Sequence, residues 1–170
     1  MKKILWWFFP LFVVNAVVTS CGDDDDLKVD QIAQTRKYKE ENETYLKEKR
    51  AQSDVKEDPS GLLYTVISQG VGERPLEDDT VIITYTGKTI RDSVFVSKTE
   101  TVALSDLGEG LRIGLRHMPA GSNYHLFIPY YLMYGATSTQ FVYGGKRVSV
   151  LSYSTLVYNM TLNAVIKKQE

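Results

Sequence analysis

Few residues in this sequence could do covalent or metal chemistry. The chain of 170 residues has one cysteine, Cys21, and two histidines, His117 and His125. One cysteine cannot form an intramolecular disulfide or a cysteine-rich zinc site, and two histidines need carboxylate help to make a metal centre. The sequence has no GxSxG, no HExxH and no phosphate-binding loop with a lysine, and neither histidine lies in a triad context. We therefore expect no hydrolytic site, no metal and no cofactor.

What the sequence offers instead is a set of aromatic side chains of the kind that proteins bury, at fixed spacings. Four of these aromatic residues are Tyr85, Phe95, Tyr134 and Tyr158. Such residues can line an apolar pocket in which a few hydrogen-bonding groups orient a ligand. They can equally be core residues of a β-sheet, and the residues by themselves leave both interpretations open.

The overall composition narrows the class of protein. Lys and Arg number 20 against 21 Asp and Glu, so the formal net charge is -1. This balance lacks the basic surface of a nucleic-acid-binding protein, and we expect no nucleic-acid partner. With 24% charged residues, the chain has the composition of a packed globular domain rather than a disordered one.

The elements that must position the aromatic residues begin near residue 62, where β-branched and aromatic residues alternate between turn signals. Strands are predicted over 62–69, 80–87, 93–98, 123–129 and 154–166. Between them, Leu107, Leu111, Leu115 and Met118 follow helical spacing and predict one short amphipathic helix. This pattern indicates the α+β class, an antiparallel sheet with a helix against one face.

The segment before the strands has a different amino-acid composition. Residues 27–53 are rich in Lys, Glu and Gln, contain no Gly or Pro, and have few apolar positions. This predicts a solvated N-terminal helix, and a helical spacer over 27–59, with dimerisation through the helix as a further possibility. Residues 54–61 have turn chemistry and are predicted to form a linker.

The N-terminus has the layout of a secretory signal over 1–20. Lys2 and Lys3 precede a mostly apolar run, and Pro10 lies inside that run. A transmembrane helix needs about 20 apolar residues, more than this run supplies. The segment ends Val-Thr-Ser before Cys21, which resembles a bacterial lipobox, in which the cysteine is acylated. The alternative is an ordinary secreted protein with an unrelated cysteine.

Four aspartates follow the cysteine, within the segment 21–26. One interpretation is a solvated acidic tether. The run also resembles the export tag of surface lipoproteins in the Bacteroidetes, and the two interpretations are compatible. The resemblance implies a lipid-anchored protein of the bacterial cell envelope, in the outer membrane, either at the cell surface or facing the periplasm.

Six segments of the globular part resemble, in order and spacing, the FKBP-type peptidyl-prolyl cis-trans isomerases. They are ITYTG at 83–87, Phe95, GLRHM at 114–118, PAGS at 119–122, LFIPYYLMYG at 126–135 and TLVYNMTL at 155–162. The upstream SGLLYTVISQGVG at 60–72 is similar to the first strand of secreted bacterial members. The resemblance covers about 60–166 and implies an FKBP-like domain over 60–168, with a sheet wrapped around one central helix.

The resemblance also implies a function, the isomerisation of X-Pro bonds in proline-containing polypeptides of the envelope. The barrier is about 18–20 kcal/mol because amide resonance resists rotation. An apolar aromatic pocket that strips water from the prolyl ring and carbonyl favours the twisted amide, which has lost that resonance. Such a catalyst needs no nucleophile, metal or cofactor.

Residues of this chain that match the family's pocket can be named individually. They are Tyr85, Phe95, Val102, Leu107, Gly108, Leu111, Tyr134 and Tyr158. The resemblance implies catalytic roles for Tyr85, Phe95 and Tyr134, with the Tyr134 hydroxyl reaching the substrate carbonyl. The other five would contact substrate, with the backbone N–H of Gly108 gripping it.

The chain also departs from the family pattern. The family's pocket Asp after Phe95 is Val96 here, and the usual Trp of the pocket floor is Leu111. Gly108 stands where the family usually has Ile. The family's Ile-Pro-Pro before the last strand is absent, and a long connection at 136–150 predicts an extra hairpin over the pocket mouth. These departures support an alternative, a non-catalytic lipoprotein of the same fold that binds peptides or a partner.

Overall fold

A computed structural model describes residues 23–168, with side chains described from residue 28, so Cys21 and the predicted signal over 1–20 lie outside the described residues. Two helices are α1 Asp23–Arg50 and α2 Glu109–Arg116. The strands are β1 Val55–Glu57, β2 Leu63–Ser68, β3 Thr80–Thr89, β4 Val94–Ala103, β5 Asn123–Ile128, β6 Thr139–Tyr143, β7 Lys146–Val150 and β8 Leu156–Ile166. Short 3-10 turns occupy Leu104–Asp106 and Tyr130–Leu132.

Six strands form one antiparallel sheet in the order β1-β2-β5-β8-β3-β4. Strands β6 and β7 form a separate hairpin that turns at Gly144 and Gly145, whose φ angles of 57° and 74° suit glycine at both turn positions. The α+β class, the antiparallel sheet, the central helix and the hairpin predicted within 136–150 are therefore confirmed.

Helix α2 packs against one face of the sheet through a very close backbone approach. Leu111 and Leu115 are buried one helical turn apart, as the spacing predicts. Two helix glycines bring the backbone onto β5. A Cβ added at Gly114 would lie 2.5 Å from Leu126 Cδ1, and one at Gly110 would lie 2.2 Å from Ile128 Cγ2. Larger residues at these positions would push the helix off the sheet.

Helix α1 covers the opposite face. Leu63, Phe127 and Val157 lie side by side on β2, β5 and β8, and Leu46 of α1 packs against them. Because side chains alternate across a strand, these three point away from the face that α2 covers. Residues on both sides of the sheet are therefore buried.

A buried polar cluster joins α1 to the chain just before β8. Asn42 is fully buried; its side-chain amide donates to the Tyr38 carbonyl at 2.7 Å and accepts from the Thr155 backbone N–H at 2.7 Å. The Tyr38 hydroxyl hydrogen-bonds with Ser154 Oγ at 2.9 Å. The predicted helix is thus solvated over 28–37, but from Tyr38 onward one of its faces is buried against the rest of the domain.

The predicted linker over 54–61 is wrong for Val55–Glu57. These three residues form β1 and pair with Glu57 opposite Leu63. Arg50 at the end of α1 reinforces this edge, since its guanidinium donates to both Glu57 carboxylate oxygens, at 2.8 and 2.9 Å. The sheet therefore begins before residue 60. Among the described residues, no helix is long and apolar enough to cross a membrane.

Substituting Asn42→Ala is expected to lower the free energy of unfolding by about 1–3 kcal/mol, because the Thr155 N–H would be buried without a partner. Urea denaturation of the full chain measures the change. The matched control is Gln34→Ala on the exposed part of the same helix, expected to change stability by less than about 0.5 kcal/mol. Equal unfolding midpoints for the Asn42 variant and the unaltered protein would contradict the prediction.

Candidate functional site

A cavity of about 340 Å³ opens between α2, the sheet and the β6–β7 hairpin. Its lining consists of Tyr85, Phe95, Val96, Lys98, Asp106, Leu107, Gly108, Leu111, Met133, Tyr134, Phe141 and Tyr158. Seven of the eight residues predicted around a pocket thus lie together, although they come from five separate stretches of the chain. Their roles in binding or catalysis stay a prediction.

Val102 is the exception, and its contact with substrate stays a prediction. It lies on β4 opposite Val81 and packs against the main hydrophobic core. It is not among the residues that line the cavity. Strand register explains this, because Val102 lies several residues along β4 from Phe95 and Val96, toward the far end of the strand.

A β-bulge directs Phe95 into the cavity. Gly87 of β3 pairs with Val96, but the next residue, Lys88, pairs with Val94, so Phe95 is an extra residue in β4. Bulges of this kind re-aim side chains and increase the local twist. Phe95 and Val96 consequently both line the cavity although they are neighbours in sequence, and Phe95 is 2% exposed.

Tyr158 stands at the centre of the aromatic walls. Its ring centroid lies 5.9 Å from that of Tyr85 in a tilted arrangement and 5.9 Å from that of Phe95 in an edge-to-face arrangement. These are favourable geometries for aromatic pairs. Gly87 makes the arrangement possible, since a Cβ there would lie 2.7 Å from Tyr158, 2.8 Å from Val96 and 2.9 Å from Phe95.

The cavity's other side is formed by Leu107, Gly108 and Leu111 near the start of α2, and by Met133. Sequence reasoning missed Met133. A Cβ added at Gly108 would lie 2.9 Å from Met133 Sδ, so the methionine side chain occupies the space that a larger residue at position 108 would need. The wall that the glycine fails to provide therefore comes from another part of the chain.

Three tyrosine hydroxyls are among the polar groups of the cavity, together with Lys98 and Asp106. Burial raises the pKa of Tyr158 and of Tyr134, and burial together with a hydrogen bond to Glu100 raises the pKa of Tyr85. All three phenols therefore keep their protons at neutral pH, and that of Tyr85 is donated to Glu100. Tyr134 is the most solvent-exposed of the three tyrosines, which suits a hydroxyl that donates to a ligand.

Glu100 and Lys98 also escaped sequence reasoning. The Tyr85 hydroxyl donates to Glu100 Oε1 at 2.5 Å, and Lys98 Nζ donates to Glu100 Oε2 at 2.6 Å. The period-2 alternation of β4 is a signal that could have found them. Positions 96, 98 and 100 share one face of the strand, and the first of them follows Phe95.

The predicted hairpin contributes Phe141 to the site. Its ring centroid lies 4.9 Å from that of Phe95 and 5.8 Å from that of Tyr134. The next two residues, Val142 and Tyr143, are exposed at 76% and 39%. The hairpin thus closes one side of the cavity and presents apolar surface beside it.

The arrangement is an apolar concavity with a few fixed donors, suited to a small apolar group next to a carbonyl. Within residues 23–168, no group of three or more His, Cys, Asp or Glu side chains could hold a metal ion. These features define a class of protein, a small antiparallel sheet packed on a short helix with an aromatic pocket between them.

Solved structures share this architecture. A peptidyl-prolyl cis-trans isomerase from Pseudomonas syringae pv. tomato superimposes with a TM-score of 0.68 at 25% identity, covering 78% of this chain and 96% of that one. FkpA from Escherichia coli superimposes with a TM-score of 0.67 at 28% identity, covering 84% of this chain and 67% of that one.

Residues 72–163 match the family described as FKBP-type peptidyl-prolyl cis-trans isomerase, and residues 14–66 match the domain amino-terminal to it. The chain therefore belongs to the FKBP-type peptidyl-prolyl isomerase family. Outer membrane protein MIP of Legionella longbeachae is 35% identical over 151 residues, and the FKBP-type 22 kDa peptidyl-prolyl cis-trans isomerase of Escherichia coli is 35% identical over 130. These matches cover 84% and 72% of this chain, and 62% and 58% of the relatives.

Substituting Gly87→Ala is expected to destabilise the protein by about 1–3 kcal/mol, because the added methyl overlaps three cavity-lining side chains. The near-ultraviolet circular dichroism of the tyrosines should change as well, since their packing must shift. Urea denaturation and circular dichroism of the full chain test this. The control is Thr101→Ala, on an exposed position of β4, for which both signals should stay unchanged. An unperturbed Gly87 variant would contradict the inferred close packing.

Proposed function

We propose that this protein is a peptidyl-prolyl cis-trans isomerase that acts on X-Pro bonds of envelope proteins. The observation that carries the proposal is the cavity walled by Tyr85, Phe95 and Tyr158 and floored by Leu111. A prolyl ring that binds there is removed from water together with its amide. Removal from water favours the twisted amide, which has lost its resonance, over the planar amide. The reaction needs no covalent step.

Each residue has a proposed part in this reaction. The rings of Tyr85, Phe95 and Tyr158 hold the prolyl ring, and the Tyr134 hydroxyl donates to the carbonyl of the substrate. Leu107, Gly108 and Leu111 complete the substrate-binding surface, with the Gly108 N–H as a second donor. The raised pKa of Tyr134, caused mainly by burial, supports its role because the phenol keeps its proton at neutral pH.

A second candidate function is peptide or partner binding without turnover. Three observations favour it. Leu111 makes a smaller and less rigid floor than an indole would, and Phe141 already packs 4.9 Å from Phe95, on one of the walls a prolyl ring would use. The exposed Val142 and Tyr143 extend the apolar surface beyond the cavity.

The envelope location is a further part of the proposal. We propose that the signal over 1–20 is removed and that acylated Cys21, with the acidic tether 21–26, anchors the chain in a bacterial outer membrane, as in lipoproteins of the Bacteroidetes. The 27–59 region then connects the tether to the FKBP-like domain over 60–168. The match to an outer membrane protein of Legionella longbeachae supports an envelope location.

The isomerase proposal is tested by a proline-limited peptide or refolding assay. Micromolar protein should accelerate isomerisation. Phe95→Ala should abolish most of the acceleration, while Tyr134→Phe, which removes only a hydroxyl, should lower kcat/KM about three- to tenfold through the lost hydrogen bond. The control Tyr131→Phe removes a hydroxyl from an exposed tyrosine of the adjacent 3-10 turn and should leave the rate unchanged.

The same proteins distinguish the two candidates. Absence of any acceleration would reject the isomerase proposal. If a proline-containing peptide nevertheless binds, and Phe141→Ala weakens that binding, the non-catalytic alternative is supported instead. If the peptide neither binds nor isomerises, both candidates fail.

The lipid anchor is tested by Cys21→Ala. Two or more acyl chains hold a protein on a membrane stably, so the unaltered chain should pellet with membranes and the variant should move to the soluble fraction. Gly22→Ala beside it is the control and should still pellet. Membrane recovery of the Cys21 variant would contradict acylation as the anchor, and protease treatment of intact cells reports which side the domain faces.

A further inference from the structure

The hydroxyl of Tyr85 has a carboxylate partner that lies outside the expected pocket residues. It donates to Glu100 Oε1 at 2.5 Å, and the other oxygen of the same carboxylate accepts from Lys98 Nζ at 2.6 Å. The Lys98 ammonium in turn lies 5.8 Å from the centroid of the Tyr85 ring. Each of the three side chains therefore contacts the other two at the edge of the cavity.

The register of β3 and β4 explains how these side chains meet. Tyr85 pairs with Lys98, and Glu100 pairs with Ile83, so Tyr85 and Glu100 are diagonal neighbours on one face. Diagonal neighbours are within reach of each other when one side chain is aromatic and the other long. Val96, two residues from Lys98 in the other direction, lines the cavity on the same strand but carries no carboxylate.

The contact determines what the Tyr85 hydroxyl can do. A phenol has one hydrogen, and here it is committed to Glu100, which fixes the torsion of the hydroxyl and the direction of the ring. Tyr85 is 7% exposed, whereas the Glu100 side chain is 26% exposed and the Lys98 side chain 48%. Charge-assisted hydrogen bonds of this kind are stronger than neutral ones.

The charges around the site agree with an ionised Glu100. Burial by itself would raise the pKa of the Glu100 carboxyl, but hydrogen bonds from Lys98 and Tyr85 outweigh it, and the pKa lies below its ordinary value. The carboxylate therefore persists through the neutral range, and its loss requires more acid than an isolated glutamate needs.

We propose that Glu100 is a positioning residue of the prolyl pocket, supported by Lys98, and that it supplies from position 100 the carboxylate that Val96 lacks. Glu100 acts through Tyr85 by holding its ring as a wall of the cavity. This inference rests on the proposed isomerase function for its kinetic consequence, but its structural content, a Tyr85–Glu100 bond, can be tested without activity.

The structural test is nuclear magnetic resonance of the full chain labelled with 13C at tyrosine Cζ. The Tyr85 resonance, identified by its loss in Tyr85→Phe, should shift on acidification with a midpoint below the ordinary glutamate pKa of about 4.3. Glu100→Gln should abolish that shift, and the control Glu48→Gln, at an exposed position of α1, should leave it intact. A Tyr85 shift that persists in Glu100→Gln, or is absent in the unaltered chain, would overturn the inference.

The kinetic test at neutral pH is a double-mutant cycle. Glu100→Leu should lower kcat/KM about three- to tenfold, and Glu100→Gln, which keeps an acceptor oxygen, should lower it less. In a Tyr85→Phe background neither change should have a further effect. Equal losses in both backgrounds would refute action through Tyr85. If the unaltered chain shows no isomerase activity, the proposed function fails, while the resonance titration still decides the Tyr85–Glu100 contact.

Discussion

The close approach of three strands at Gly87 is the constraint on which the pocket depends. Strand β3 lies between β4 and β8, and at Gly87 there is no side chain to separate Phe95 and Val96 on one neighbour from Tyr158 on the other. The bulge in β4 turns Phe95 inward at the same point. Any side chain at position 87 would spread these walls, so the aromatic cavity is a consequence of a missing Cβ and one extra residue.

The support for this arrangement comes from both faces of the sheet. On one face, α2 approaches β5 closely through Gly110 and Gly114, which places Leu111 under the cavity. On the other face, α1 binds the chain that leads into β8 through the buried Asn42. Tyr158 lies three residues beyond Thr155, which Asn42 holds, so the N-terminal helix constrains the strand that bears the central pocket ring.

The spacing of apolar residues and the composition of the sequence predicted most of the fold, because apolar and polar residues alternate along the strands and α2 has apolar residues at helical spacing. They could not predict β1, which has three residues, two of them charged. They also missed the docking of α1, since its contacts use scattered positions and a buried amide rather than an apolar stripe. Family motifs located most of the cavity-lining residues but grouped Val102, which does not line the cavity, with them, because motif spacing does not say how far along β4 the cavity extends.

The departures from the family pattern have a common physical explanation. The shape of a pocket depends on which side chains fill the space around it, and these side chains can come from different positions in the sequence. Gly108 leaves room for Met133, whose sulfur would lie 2.9 Å from a Cβ there. Val96 carries no carboxylate, but Glu100, four residues further along the same strand, does and accepts a hydrogen bond from the Tyr85 hydroxyl. Phe141, from a hairpin distant in sequence, adds an aromatic wall. Met133 lies within the 126–135 segment, but Glu100 and Phe141 lie outside all six family segments, so a comparison of motifs alone underestimates the apolar and hydrogen-bonding side chains around this cavity.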